Sequence, residues 1–156
     1  MQERRPKIGV GIIVIKHVDD TSYVMLHQRK GDFAEGYWGS GGGHVEHGES
    51  LMTAALRELI EEAGEDLVVN NVNFLCVSNF TSLAPKHYVD VAFCAEYVSG
   101  EPRNSAPDET SDWQWFNIDN LPKPLFPPIV NYLSALKGDG EFYDNHSKTY
   151  SPGKSV

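Results

Sequence analysis

The stretch Gly43–Glu65, GHVEHGESLMTAALRELIEEAGE, decides how this chain is read: glycines feed a helix that carries Arg57, Glu58, Glu61 and Glu62. At about 100° per residue, Glu58, Glu61 and Glu62 stand at i, i+3 and i+4 and share one face. Met52, Leu56, Leu59 and Ala63 line the opposite face, so the helix is expected to bury its apolar side and hold the carboxylates together, outward. Their mutual repulsion must be relieved by protonation or by a cation, and a set of oxygen-only ligands favours Mg2+ or Mn2+. Ser50 is expected to cap the helix and Gly64 to stop it, bounding it at about fourteen residues.

A Glu-rich amphipathic helix is ordinarily a solvated surface. Here the spacing argues for more. With U standing for an aliphatic residue, the stretch fits G-x5-E-x7-R-E-U-x-E-E-x-G-U, with Gly43, Glu49, Arg57, Glu58, Leu59, Glu61, Glu62 and Gly64 in register. Only Glu65 departs, at the helix exit, where Leu67 can take over the packing. The pattern resembles the Nudix box. The resemblance spans most of the chain, because WGSGGGHVEHGES, HYVDVAF and WQWFNIDNLP follow one another as in small MutT-like nucleotide pyrophosphohydrolases.

That resemblance implies an α/β/α sandwich with a mixed β-sheet and Mg2+-dependent splitting of a nucleoside triphosphate, oxidised or otherwise modified or not, into monophosphate and pyrophosphate. It implies metal ligation by Glu58, Glu61, Glu62 and the Gly42 or Gly43 carbonyl. Catalysis would fall to Glu58 as first choice of base, with Glu61 beside it and Arg57 orienting the glutamates; Glu49 would pair with Arg57. The box defines chemistry on a nucleoside diphosphate linked to X and leaves X open, so a nucleotide sugar or another nucleoside diphosphate derivative is the enzymatic alternative. A nucleotide-sensing module without turnover is the alternative from another class. Ser40 and Gly41 depart from the Leu-Pro pair common in relatives, which implies a looser loop and an altered pocket wall.

Composition narrows the partners. The chain has 22 acidic and 13 basic residues for a formal charge of −9, which disfavours long polyanions and leaves a small, metal-chelated nucleotide as the expected substrate. The start, MQERRPK followed by IGVGIIVI, is too short an apolar run for a membrane span and carries no small-residue cleavage site, so the expected location is cytoplasmic, as a monomer or homodimer. Cys76 and Cys94 fall in apolar strand-like runs and read as small buried hydrophobes.

The length suits one domain, expected over 1–138, with a polar tail over 139–156 in which Phe142, Tyr143 and Tyr150 leave room for docking. Ile8–Ile15 and Tyr23–Gln28 read as strands turned by Asp19–Thr21, the first of them central. Gly39–Gly43 reads as too permissive for regular structure, with a backbone able to approach a ligand closely. Leu67–Phe80 and His87–Val98 form an expected hairpin joined by Thr81–Lys86, with Asp90 and Glu96 outward. Trp113–Phe116 is a short strand, and Ile129–Leu136 a terminal helix after a proline-rich run.

Other residues are weighed against simpler roles. Arg29, Lys86 and His44 are candidates for phosphate contacts, although surface solvation explains each. Tyr37, Trp38, Phe80 and Tyr88 could stack on a base, although aromatics in or beside strands are more often core; Trp113 and Trp115 read as core. His44 and His47 form an isolated H-x-x-H without further soft ligands, a poor zinc site.

Overall fold

The computed structural model describes residues 4–31, 33–81 and 86–144. The β-branched N-terminal run forms β1 (Lys7–Val18), and a turn in which Asp19 adopts φ 54° returns the chain as β2 (Thr21–Gln28). After a loop come β3 (Trp38–Gly39), β4 (Gly41–His44) and the helix α1 (Leu51–Ala63). Next are the long strands β5 (Val68–Phe80) and β6 (Tyr88–Ser99), then β7 (Gln114–Asn117), α2 (Pro127–Leu136) and β8 (Phe142–Asp144). The prolines expected to exclude a helix interior open α2 instead, where a missing N–H costs nothing.

The sheet runs β3-β2-β1-β6-β5-β8 among the described residues, with β4 also on β1 and β7 also on β2. It is mixed: β1 runs parallel to β6, whereas β5 and β6 form the expected antiparallel hairpin, whose link at 82–85 lies outside the described residues. β1 is central as expected. One of its edges serves two partners, Gly9–Ile12 pairing with β4 and Ile15–Val18 with β2, and a cleft opens where those two partners part.

Alternation along β1 sends Val10, Ile12 and Val14 to one core with Ala54, Ala55 and Leu59 of α1, and Ile13 to the other with Ile129, Tyr132 and Leu133 of α2. Helices on both faces of a mixed sheet make the α/β/α sandwich.

Three expectations change. Gly39–Gly43 is strand on both sides of Ser40 rather than irregular loop, because Gly39 pairs with His27 and Gly41–His44 pairs in register with Gly9–Ile12. The looser loop expected at Ser40 and Gly41 is absent for the same reason. Asp90 is 9% exposed rather than outward, since α2 covers that face of β6; Glu96 is exposed as expected. The docking left open for the stretch over 139–156 is seen at Tyr143, which β8 buries by pairing with β5; Tyr150 lies outside the described residues. Cys76 and Cys94 are free thiols. No helix among the described residues is long and apolar enough to cross a membrane.

Candidate active site

Ser50 caps α1 by accepting from the Thr53 N–H at 3.1 Å, and Gly64, at φ 87°, ends it after thirteen residues. The helix then lies against β4, and the glycines of that strand are what permit it. A Cβ on Gly43 would overlap the Glu58 carboxylate, and one on Gly41 would stand 3.2 Å from both Leu59 and Ile12.

This packing rotates the helix away from the expected arrangement. Met52 is 41% exposed and Glu62 only 8%, because Ala54, Ala55, Leu59, Glu62 and Ala63 form the buried stripe. Hence the glutamates do not point outward as a set: Glu62 is drawn under β4, Glu58 is half-sheltered beside Gly43, and Glu61 stays open at the rim. The Gly42 N–H donates to Glu62 Oε1 at 2.9 Å.

Arg57 gathers the remaining carboxylates. Its Nε donates to Glu49 Oε2 at 2.7 Å and its Nη2 to Glu49 Oε1 at 3.0 Å, a bidentate pair, while Nη1 reaches Glu58 Oε1 at 3.0 Å and Glu61 Oε1 at 3.2 Å. A further bond from Nη2 to the His44 carbonyl, at 3.0 Å, ties the helix to the end of β4. The expected Glu49–Arg57 pairing is therefore present. It holds the Glu49 carboxyl at about 2, whereas burial pushes Glu62 up to about 8 against the opposing Gly42 hydrogen bond. Burial also raises Glu58, with Arg57 pulling the other way.

These residues form one end of a cleft of about 530 Å³. Arg29, Lys86, His44 and Tyr88 all line it. The Arg29 guanidinium lies 4.2 Å from the Phe126 ring centroid, Lys86 Nζ sits 4.2 Å over Phe33, and the His44 Nε2 and Tyr88 hydroxyl are 3.2 Å apart. Phe80 lines the cleft from the core side, but Tyr37 and Trp38 do not, Trp38 packing edge-on against Phe116. Trp113 is buried, its indole N–H donating to the Glu62 carbonyl, and Trp115 lies under Lys16.

Among the lining residues that sequence reasoning missed are His27, Asp90, Glu109 and Tyr132. His27 and Asp90 had a legible signal, a polar side chain inside an otherwise apolar strand run. His27 is buried edge-on against Trp113, its Nε2 3.2 Å from the Ser40 carbonyl and 3.8 Å from Glu62 Oε2, with Nδ1 unpartnered. Glu109, on a loop, had none.

Among the described residues, no three His, Cys, Asp or Glu side chains already converge to hold a metal, so neither a zinc site at His44 and His47 nor a closed carboxylate cage is preformed. The donor set nevertheless fits a hard cation: Glu58, Glu61 and Glu62 offer only oxygen on adjacent turns, and Glu62 ionises unfavourably where it stands. A divalent ion at this end would supply the positive charge that burial has removed from water.

With that geometry in place, the family is settled by comparison. The NUDIX domain model matches residues 5–136, and the chain belongs to the Nudix family. Among its relatives is the oxidized purine nucleoside triphosphate hydrolase of Mus musculus, 35% identical over 80% of this chain and 78% of the other. The zebrafish (Danio rerio) protein of the same name is 38% identical over 64% of this chain and 61% of its own length. The NAD-capped RNA hydrolase NudC of Stutzerimonas stutzeri is 33% identical over 84% of this chain, which spans only 45% of it. A crystal structure of a MutT NUDIX hydrolase from Burkholderia pseudomallei superposes with a TM-score of 0.76 at 32% identity, covering 85% of this chain and 99% of the other.

Proposed function

We propose that this protein is a cytoplasmic phosphoanhydride hydrolase that uses Mg2+, with Mn2+ as a substitute, to convert a nucleoside triphosphate, oxidised or otherwise modified or not, into the monophosphate and pyrophosphate. The observation that carries this reading is the Arg57-centred carboxylate group beside a glycine strand, at one end of a cleft that Arg29, Lys86 and Tyr88 also line.

An anhydride resists water because its oxygens repel the nucleophile and the departing phosphate carries charge. Glu58, Glu61, Glu62 and the Gly42 or Gly43 carbonyl would hold the cation, which would supply charge neutralisation to the phosphates. Glu58 is the base: burial raises its proton affinity, and it takes a proton from the attacking water as the new P–O bond forms and the anhydride P–O bond breaks. Arg57 fixes the directions of Glu58 and Glu61, and Glu49 fixes Arg57. Arg29 and Lys86 face the cleft where they can meet phosphate oxygens, and His44 and Tyr88 close its side.

A second reading, cleavage of a nucleotide sugar or another nucleoside diphosphate derivative, is favoured by the likeness to the NudC hydrolase across most of this chain. Product analysis separates the two: pyrophosphate from nucleoside triphosphates supports the first, and two phosphomonoesters from a diphosphate derivative support the second. Sustained turnover on either excludes a mere nucleotide sensor, which would bind Mg2+-nucleotide and release less than one equivalent of product.

A further inference from the structure

Away from the glutamates, Asp90 is a buried carboxyl in the cleft with no role in the mechanism. Asp90 is 9% exposed and lines the cleft floor. Its Oδ2 accepts a 2.5 Å hydrogen bond from the Tyr132 hydroxyl, and burial and that bond alone govern its ionisation, which is pushed up to about 6. Among the described residues no Lys or Arg pairs with it. A buried carboxylate without a cation is costly, and such groups persist where a ligand supplies the missing donors.

The surrounding backbone keeps the other oxygen open. Gly9 of β1 is the register partner of Asp90, and the place where its Cβ would stand is 3.5 Å from Asp90 Oδ1 and 3.8 Å from the Tyr88 ring. Two residues along, a Cβ on Gly11 would overlap the Tyr132 hydroxyl, so this glycine is what lets Tyr132 reach Asp90. Tyr132 covers the sheet at Gly11, so bare backbone is left only at Gly9, with the Tyr88 ring at its side and Phe80 and Ile129 lining the same cleft, where an aromatic ring can lie. Gly9 pairs with His44 on one side and Asp90 on the other, which sets the Asp90 backbone two strand spacings, about 10 Å, from β4, the strand against which α1 and its glutamates pack. Asp90 and the glutamates line one cleft, so a nucleotide with its phosphates at the glutamates can set its base against Asp90.

We propose that Asp90, anchored by Tyr132, is a specificity residue that reads the base and selects guanine-type rings. A carboxylate only accepts, and it matches an edge bearing two adjacent N–H donors. Guanine offers its ring N1–H beside its 2-amino group. Hypoxanthine keeps the N1–H and lacks the amino group. Adenine turns an unprotonated ring nitrogen toward the carboxylate, acceptor against acceptor. The inference rests on the proposed nucleotide reading for the ligand's class, but not on which anhydride is cut.

Calorimetric binding of GMP, IMP and AMP tests it without relying on turnover. The parent is expected to bind GMP about tenfold more tightly than IMP and about a hundredfold more tightly than AMP. Asp90→Asn puts an amide donor toward the base donors; it should weaken GMP by about a hundredfold and leave AMP unchanged or improved. Tyr132→Phe, which frees Oδ2, should weaken GMP by less and keep the order. Parent affinities for the three within about threefold of one another would overturn the proposal, even if Asp90→Asn failed to fold. So would an Asp90→Asn protein that weakens all three equally. Turnover of nucleoside triphosphates is measured separately: its absence alongside selective GMP binding would count against the proposed reaction and leave the base reading standing.

Discussion

Arg57 touches four other residues through one guanidinium, and the geometry of that fork is what a point charge cannot copy. Arg57→Lys keeps the charge but loses the bidentate hold on Glu49 and the alignment of Glu58, so kcat is expected to fall by about 10- to 100-fold with the fold intact; near-parental kcat would mean the orientation is immaterial. Glu49, just ahead of α1, and Glu62, in its last turn, show how differently two carboxylates can be treated. Glu62 is raised from 4.5 to about 8 by burial, so its contribution to stability is full below about 4.5 and lost as pH rises through about 8. In metal-free protein, Glu62→Gln should therefore gain in stability over the parent between pH 5 and pH 8.5, by an amount on the order of a few kcal/mol at most, read as a widening gap in Tm. A gap that stays constant with pH would show that Glu62 is not strained by its charge. Asp90 acts in the same sense between 3.8 and about 6, and Glu49, held low, in the opposite one. Much of this residue chemistry was legible through the family resemblance, which implied the Glu49–Arg57 pair and the hold of Arg57 on the glutamates. Asp90 was misread because strand alternation assigns a side chain to a face but cannot say that a helix sixty residues from the box covers that face.

The glycine strand β4 and the helix α1 work as one element. Sequence alone read the glycines as a loop, since glycine has low strand propensity, yet register with Gly9–Ile12 makes them a strand, and the close approach of α1 supplies the reason for glycine. Gly43→Ala is expected to push the Glu58 carboxylate aside, destabilising by about 1 to 3 kcal/mol and lowering kcat by at least tenfold; unchanged kcat would show that Glu58 is free to move without loss. Gly41→Pro would stabilise an irregular loop, but in a strand paired with Ile12, where even a Cβ stands 3.2 Å from Leu59, it should lower Tm. A rise in Tm would restore the loop reading. The face of α1 was half right for a similar reason. Periodicity groups Glu58, Glu61 and Glu62, but only the contact with β4 decides that Glu62 belongs to the buried stripe.

At the scale of the molecule, the two cores on opposite faces of a mixed sheet were readable from alternating and helical patterns, and the order of the strands was not. The parallel pairing of β1 with β6 joins segments some eighty residues apart, and nothing local encodes it. The overall charge of −9 belongs to this scale too. It repels a long polyanion while a chelated nucleotide escapes the penalty, so kcat/KM for free nucleotides should exceed that for capped RNA by at least tenfold at physiological salt. A preference for capped RNA would instead favour the likeness to the NudC hydrolase. All of these arguments depend on the acidic end of the cleft being a metal-dependent catalytic centre rather than a charged surface. The most direct test is kcat of Glu58→Gln at saturating Mg2+, with exposed Glu65→Gln as control. The account predicts a loss of about 10² to 10⁴ for Glu58→Gln, a change under about tenfold for Glu65→Gln, and parental melting for both. Near-parental kcat and Mg2+ dependence in Glu58→Gln would contradict it.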